Sequence, residues 1–189
     1  MRKGVLLFYV ICVLLLALGI IFDNRVELFL AGNGAMILTD VMNFFSFVGE
    51  GLLIFAITTL IFLIARKGKK LPFLWASFII SYAITAVLKI IVMRHRPDVA
   101  LYVDNSFSFP SGHATAVFSV LALIWKELPW LKWFWLVFAV LVTFSRLYLG
   151  MHFLTDVIVG AIIGFTVGLM IVKYEKNIIG MFKRIIKRK

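Results

Sequence analysis

Long apolar stretches, separated by short polar segments, make up most of this chain. Six of them approach the roughly 20 residues that a helix needs to cross the hydrocarbon core of a bilayer. They cover residues 4–22, 51–66, 72–93, 112–126, 131–149 and 152–173. The pattern predicts an all-α, polytopic membrane protein in which six transmembrane helices form a bundle, with residues 1–189 as one domain.

The first stretch follows Met-Arg-Lys, as the core of a signal peptide does. Its apolar run of about 18 residues is longer than the roughly 7–15 residues of a signal core. We therefore expect this stretch to be an uncleaved span.

Two other apolar segments do not read as simple spans. Residues 35–48 are interrupted by polar side chains, and they fit either a helix lying on the outer membrane face or an extension of the second span. In the C-terminal tail, Ile178, Phe182 and Ile185 fall on roughly one helical face among basic residues. This favours an amphipathic segment on the anionic cytoplasmic leaflet, with a basic stop-transfer tail as the alternative.

Composition agrees with a protein that has almost no soluble part. Hydrophobic residues make up 63% of the chain and charged residues 15%, and the mean hydropathy is +1.06. A soluble domain of this length carries far more charge.

The single cysteine, Cys12, lies inside an apolar run, so it is expected to be packed or lipid-facing rather than part of a disulfide or a metal site.

The net charge of +11 comes from basic clusters between the apolar runs. That distribution is typical of membrane orientation signals, so we expect no nucleic-acid partner. Fifteen of the 20 basic residues lie at one set of helix ends, which the positive-inside rule places in the cytoplasm together with both termini. The five at the other set of ends are Arg25, Lys89, Arg94, Arg96 and Arg146.

Polar residues that could bind a ligand or take part in catalysis are concentrated at these other ends, in the third to sixth predicted spans. Ionisable side chains at membrane depth are costly, and they indicate a functional site by default. The sequence therefore predicts an active site at the extracytoplasmic ends of helices 3–6. The residues concerned are Lys89, Arg96, Ser111, Gly112, His113, Arg146, His152 and Asp156.

His152 and Asp156 are four residues apart, so a helix would place both side chains on one face. Asp156 could then accept a hydrogen bond from one ring nitrogen and leave the other free and basic. This arrangement is typical of an activated nucleophile or base with its orienting group. The alternative is a structural polar pair that holds helices together.

Pro110, Ser111, Gly112 and His113 stand at the start of the fourth predicted span. Proline suits a helix start, and glycine lets a ligand approach the backbone closely. The N–H groups of Ser111, Gly112 and His113 would point out of a helix N-terminus, where an anion can bind. An ordinary helix cap with an exposed histidine is the alternative.

Lys89, Arg96 and Arg146 bring three positive charges to the same membrane face, against the topology rule. Guanidinium groups bind phosphate with paired hydrogen bonds, and a bound polyanion would offset the repulsion between the three cations. We interpret Arg94 and His95 as loop or rim residues.

Together these residues form a three-part signature. It consists of KIIVMRHRP (89–97), PSGH (110–113) and SRLYLGMHFLTD (145–156). The chain thereby resembles the type 2 phosphatidic acid phosphatase (PAP2) superfamily, which includes undecaprenyl-diphosphate and phosphatidylglycerophosphate phosphatases. The motifs span residues 89–156, and no signature position departs from the family pattern.

The resemblance implies a metal-independent phosphatase that works through a phosphohistidine. His152 would be the nucleophile, with Asp156 as its orienting group, and His113 would be the general acid that later activates water. Lys89, Arg96, Arg146, Ser111 and Gly112 would bind the phosphoryl oxygens. No cofactor and no metal ion is expected.

A site at the bilayer surface favours a lipid phosphate, whose tail can stay in hydrocarbon. We expect a polyprenyl diphosphate such as undecaprenyl diphosphate, with phosphatidylglycerophosphate and phosphatidic acid as alternatives. Two other classes of protein remain open, a transporter that binds phosphate lipids without catalysis and an inactive scaffold. The expected partners are the lipid substrate and membrane lipids, and the sequence does not indicate an oligomeric state.

Overall fold

The computed structural model describes residues 2–30, 36–102 and 104–187. These residues form helices joined by turns and loops, and the described part of the chain contains no β-strand. A short 3-10 turn, Gly68–Lys70, precedes the fourth helix. The helices are α1 (Arg2–Leu30), α2 (Met36–Val48), α3 (Gly51–Ile64), α4 (Leu71–Val92), α5 (Gly112–Ser119), α6 (Leu121–Glu127), α7 (Lys132–Tyr148) and α8 (Leu154–Lys187).

Each of the six predicted stretches is helical, which confirms the all-α, multi-pass prediction. Three segments among the described residues are long and apolar enough to cross a membrane alone: Lys3–Asp23, Gly68–Val92 and Leu154–Gly180. A fourth span results if α2 and α3 are counted together. The fourth and fifth predicted spans are shorter helices, because α5 and α6 are separated at Val120 and α7 has 17 residues. The total of six spans therefore stays a prediction.

Residues 36–48, whose role the sequence left open, form a helix of their own. α2 and α3 are separated at Gly49 and Glu50, and their axes differ by 68°. α2 lies against α7, and a Cβ atom added at Gly49 would come within 2.2 Å of Val142 Cγ1. α2 is thus held across the end of the bundle that carries the predicted site residues, and it is not a straight extension of α3.

α8 is the central helix, and its closest neighbour is α5. Gly160, Gly164 and Gly168 lie on the side of α8 that meets α5. A Cβ atom added at Gly164 would come within 2.4 Å of the Thr115 carbonyl oxygen, and one at Gly160 within 2.6 Å of the Ser111 carbonyl oxygen. Small residues at such spacing let two membrane helices approach backbone to backbone.

α1 packs antiparallel to α8. The Tyr9 hydroxyl is hydrogen-bonded to the Thr166 hydroxyl at 2.8 Å, and Cys12 is buried in a small apolar cluster with Val157 and Ile158. Cys12 is thus packed against other helices, which is one of the two alternatives that the sequence left open. α8 remains helical through the tail, but the side chains of Phe182 and Ile185 lie outside the described residues.

The end of the bundle opposite the predicted site residues is held by ion pairs. Lys70 contacts Glu127 at 3.0 Å and Glu175 at 2.5 Å, and Lys126 also pairs with Glu175. Lys67 contacts Glu127 at 3.4 Å. We call these five residues the basal ion cluster, which ties the start of α4 to α6 and α8.

Candidate active site

The segment between α4 and α5 begins with a sharp change of direction. α4 ends at Met93, whose backbone is left-handed (φ 50°). The chain then returns across the end of the bundle, where the Ser108 N–H donates to the Arg94 carbonyl oxygen at 2.8 Å. The ammonium group of Lys89, in the last turn of α4, donates to the carbonyl oxygen of Phe107 in this segment.

The Pro110–His113 turn leads directly into α5, as predicted. Ser111 is the residue before the helix, and Gly112 and His113 are its first two residues. The Ser111 N–H donates to the Asp156 carbonyl oxygen at 3.0 Å. This bond and the close α5–α8 contact fix the turn beside the start of α8. The Ser111 N–H is thereby occupied, so the expectation that it points outward to an anion was wrong.

Arg146 lies in the last turn of α7, and its side chain is buried close to His113 at the start of α5. One terminal nitrogen of Arg146 donates to the Ser46 hydroxyl of α2. Gly150, with φ +64°, turns the chain from α7 toward α8, and a Cβ atom there would lie within 2.8 Å of the Val99 carbonyl oxygen. This turn places His152 in the interior, with only 3% of its surface exposed.

His152 and Asp156 face each other, although not for the reason that their spacing suggested. α8 begins at Leu154, so His152 lies in the turn before the helix and not on its face. The His152 Nδ1 atom is 3.6 Å from Asp156 Oδ2, which is longer than a hydrogen bond.

The other ring nitrogen of His152 faces a cation. Arg96 Nη1 lies 3.3 Å from His152 Nε2 and 2.7 Å from the Met151 carbonyl oxygen. A guanidinium group can only donate, so Nε2 must accept and carry no proton. The proton of the neutral ring is then on Nδ1, on the side of Asp156, and the electron pair of Nε2 is directed at Arg96.

Arg96 is held in place by the segment that crosses the site. Its Nε donates to the Ser106 carbonyl oxygen at 3.0 Å, and its Nη2 pairs with Asp104 Oδ2 at 2.5 Å. Burial lowers the pKa of the Arg96 guanidinium, and the negative charges of Asp104 and Asp156 act in the opposite direction. Burial would raise the pKa of the Asp104 carboxyl, but hydrogen bonds from Ser106 and the charge of Arg96 outweigh it, so this pKa lies below its usual value.

Several buried polar atoms at this end lack an internal partner. Within the described part of the chain, Ser111 Oγ, Arg146 Nε and His152 Nδ1 are buried and make no hydrogen bond. Arg146, Arg96 and Lys89 are all close enough to His152 to act on it electrostatically. Buried donors beside converging cations are costly unless an anion accepts from them.

The structure therefore brings all eight sequence-predicted residues to one end of the bundle. Direct contacts join Arg96 with His152, His152 with Asp156, and Ser111 with Asp156. His113 lies at the start of α5, close enough to His152 and Arg146 for their charges to act on it. The arrangement can hold a phosphate-sized anion between cations, backbone N–H groups and two imidazoles.

Sequence reasoning missed several neighbours of this site. Arg94 lies in the loop after α4, as interpreted, but it also donates from Nη1 to Asp156 Oδ1 at 2.8 Å, a contact that the sequence did not reveal. Ser46 belongs to residues 35–48, whose role the sequence left open, and no sequence motif marks Asp104. Asp23 and Arg94 have opposite charges near the same predicted membrane face, but this signal does not specify which charged residues pair.

Comparison with known proteins places these features in a family. The PAP2 superfamily profile matches residues 70–179, which include all eight site residues. Phosphatidylglycerophosphatase B of Bacillus subtilis (strain 168) is 42% identical over 104 residues, which are 49% of this chain and 51% of that protein. The match thus spans about half the length of that relative. An undecaprenyl-diphosphatase of Sulfolobus acidocaldarius is 31% identical over 173 residues, 85% of this chain and 82% of that protein.

A solved structure shows that the similarity extends to the whole fold. The transmembrane PAP2-type phosphatidylglycerolphosphate phosphatase from Bacillus subtilis superposes with a TM-score of 0.75 and 28% sequence identity. The superposition covers 94% of this chain and 98% of that one. With its signature residues gathered at one end of a helical bundle, this multi-pass membrane protein belongs to the PAP2 superfamily.

Proposed function

We propose that the chain hydrolyses a lipid phosphate or diphosphate through a phosphohistidine intermediate. The observation that carries the proposal is the set of two buried, unpartnered donors, Ser111 Oγ and Arg146 Nε, at the end of the bundle where cations surround His152. A phosphoryl group supplies the acceptor oxygens and the negative charge that this set requires. The named relatives, which are phosphatases of lipid phosphates, support the same activity.

His152 is the proposed nucleophile. Its Nε2 attacks phosphorus and forms a P–N bond as the bond from phosphorus to the leaving oxygen breaks. Asp156, on the Nδ1 side, stabilises the positive charge that develops on the ring. A protonated His113 gives its proton to the leaving oxygen.

The second half of the reaction regenerates the enzyme. His113, now neutral, takes a proton from water as the water oxygen attacks phosphorus and the P–N bond breaks. Inorganic phosphate leaves, and His152 is free again. Lys89, Arg96 and Arg146 stabilise the charge on the phosphoryl oxygens most strongly in the transition state, together with Ser111 and the Gly112 N–H.

We place this site on the extracytoplasmic side, with both termini in the cytoplasm and six spans in total. Fifteen of the 20 basic residues lie at the opposite ends of the helices, and this bias supports the orientation. The basal ion cluster belongs to that opposite, cytoplasmic side.

A polyprenyl diphosphate is the proposed substrate, and phosphatidylglycerophosphate is the second candidate. The undecaprenyl-diphosphatase from Sulfolobus acidocaldarius, which aligns over most of this chain, favours the first. The relatives from Bacillus subtilis favour the second. An apolar cavity of about 420 Å³ among α1, α5, α6, α7 and α8, lined on α7 and α8 by Leu147 and Leu154 among others, supports a substrate with a long hydrocarbon tail.

The proposal is tested by phosphate release from purified protein in detergent. The panel contains undecaprenyl diphosphate, phosphatidylglycerophosphate, phosphatidic acid and a soluble phosphomonoester. We expect turnover of the lipids, and a decrease of more than about 1,000-fold in His152→Ala, the scale lost with a catalytic nucleophile. Turnover of none of the lipids would favour a phosphate-lipid transporter, and near-normal activity of His152→Ala would exclude the phosphohistidine route.

We expect activity to be independent of divalent metal ions. Among the side chains that the structure describes, no three His, Cys, Asp or Glu residues are grouped as metal ligands. The cations of the site carry out the charge stabilisation that Mg²⁺ provides in other phosphoryl-transfer enzymes. Phosphate release should therefore continue in excess EDTA, and inhibition that added Mg²⁺ reverses would contradict this.

A further inference from the structure

Asp156 is bound from two sides, by His152 and Phe153 on one side and by Arg94 on the other. Its Oδ2 faces His152 and accepts from the Phe153 N–H at 3.0 Å. Its Oδ1 accepts from Arg94 Nη1 at 2.8 Å. The side chain of Asp156 is fully buried, so its orientation depends on these contacts.

Arg94 is itself held by three further groups. Its Nη1 also donates to Thr155 Oγ1 at 2.7 Å, and its Nη2 pairs with Asp23 Oδ2 at 3.0 Å. The Cζ atom of the guanidinium group lies over the Phe153 ring, 3.7 Å from its centre. The guanidinium thus bridges two carboxylates, one on α8 and one on α1.

Asp23 also binds the start of α8 directly. Its Oδ1 accepts from the Thr155 N–H at 3.1 Å, and its Oδ2 accepts from the Thr155 hydroxyl at 2.5 Å. Gly19 makes this approach possible, since a Cβ atom there would come within 2.8 Å of Thr155 Cγ2. α1 therefore supplies a carboxylate to the first turn of α8, where free N–H groups favour a negative charge.

We propose that Asp23 of α1 is a positioning residue that acts on the reaction through Arg94 and Asp156. Asp23 holds Nη2 of Arg94, so that the guanidinium offers only Nη1 to Oδ1 of Asp156 and leaves Oδ2 for His152. Without the charge on Asp23, the guanidinium can turn both nitrogens toward Asp156 and compete with His152 for its carboxylate. Asp23 lies outside residues 70–179, so the family profile assigns it nothing.

This inference rests on the proposed phosphatase function, in which Asp156 orients the nucleophile. It predicts an effect on turnover rather than on substrate affinity, because neither Asp23 nor Arg94 belongs to the phosphate-binding set. Groups that orient a functional residue typically change activity by about 10- to 100-fold when altered. We therefore expect Asp23→Asn to lower kcat about 10-fold or more, with KM changed less than about 2-fold.

The experiment compares Asp23→Asn, Arg94→Met and the double variant in steady-state phosphate release, with wild type and His152→Ala measured first. If Asp23 acts through Arg94, the double variant should be no slower than Arg94→Met alone. Multiplicative losses, or an unchanged kcat in Asp23→Asn, would overturn the inference. An inactive wild type would instead refute the proposed function, so the two failures are distinguishable.

Two further variants separate positioning from simple docking of α1. Tyr9→Phe removes the α1–α8 hydrogen bond to Thr166, far from Asp156, and should leave kcat unchanged. An equal loss of kcat in Tyr9→Phe and Asp23→Asn would show that α1 docking alone matters. Arg94→Lys keeps the charge but cannot reproduce the contacts to both carboxylates, so it should resemble Arg94→Met, and wild-type kcat in this variant would overturn the bridging role.

Discussion

At the scale of single residues, the site is organised by what each side chain can donate or accept. Arg96 can only donate, so its contact with His152 Nε2 determines which ring nitrogen carries the proton. Asp104 has the opposite role, because its carboxylate pairs with Arg96 from the exposed side of the site. The pair keeps the guanidinium directed at His152, and its strength depends on the charge of Asp104.

The Asp104–Arg96 pair predicts a pH-dependent contribution to stability. The pKa of Asp104 is lower in the folded protein than in the unfolded chain. Its contribution is therefore fully present above the unfolded pKa of about 3.9 and is lost as the pH falls through the lowered folded value. The difference in thermal midpoint between wild type and Asp104→Asn, measured in detergent, should be largest near neutral pH and should shrink below about pH 4.

A matched control is Asp98→Asn, which removes an exposed carboxylate from the same interhelical segment. It should leave the thermal midpoint at neutral pH unchanged. A wild-type advantage over Asp104→Asn that grows on acidification would contradict the assigned direction of the pKa shift.

At the scale of helices, the contact between α5 and α8 decides where the Pro110–His113 turn lies. The Ser111 N–H reaches the Asp156 carbonyl oxygen only because the two helices approach along the glycine side of α8. The backbone atoms of Thr115, Phe118 and Ser119 surround the position of a Cβ atom at Gly164. Backbone atoms cannot move aside as a flexible side chain can.

Gly164→Ala should therefore destabilise the protein and lower its activity. Overpacking of a tight contact costs about 1–3 kcal/mol, and separation of α5 from α8 would also displace Ser111 from Asp156. Thermal unfolding in detergent and phosphate release measure the two effects. Gly180→Ala on the same helix is the control, because a Cβ atom there meets nothing within 4 Å, and it should be neutral or slightly stabilising.

At the scale of the whole molecule, the two ends of the bundle have different tasks. The basal ion cluster joins α4, α6 and α8 at one end, and the candidate active site occupies the other. Glu175 has only 6% of its side chain exposed, and it binds both Lys70 and Lys126. Stability and catalysis should therefore respond separately to changes at the two ends.

Glu175→Gln should lower stability without lowering kcat. The substitution leaves two ammonium groups without their shared carboxylate, which costs about 1–3 kcal/mol where the lysines are partly exposed. Thermal unfolding and phosphate release should show a lower midpoint with an unchanged rate for folded protein. Lys69→Gln, at an exposed position on the same side, is the control, and a kcat loss in Glu175→Gln would mean that the two ends are coupled.

The sequence by itself determined the helical, membrane-spanning character of this protein and the residues that meet at its site. Apolar runs of span length leave only helices as a way to satisfy the backbone in lipid, and the three-part signature placed Lys89, His113 and His152 at the same helix ends. Those inferences depend on short-range pattern and on chain direction, which a single sequence displays.

Only the tertiary structure decided how those residues are held. The turn at Gly150, and not a helical face, brings His152 to Asp156. The bend between α2 and α3 carries Ser46 to Arg146, and α1 brings Asp23 to Arg94. These contacts join residues 71 to 100 positions apart in the chain, and no local pattern encodes them because they depend on how whole helices pack.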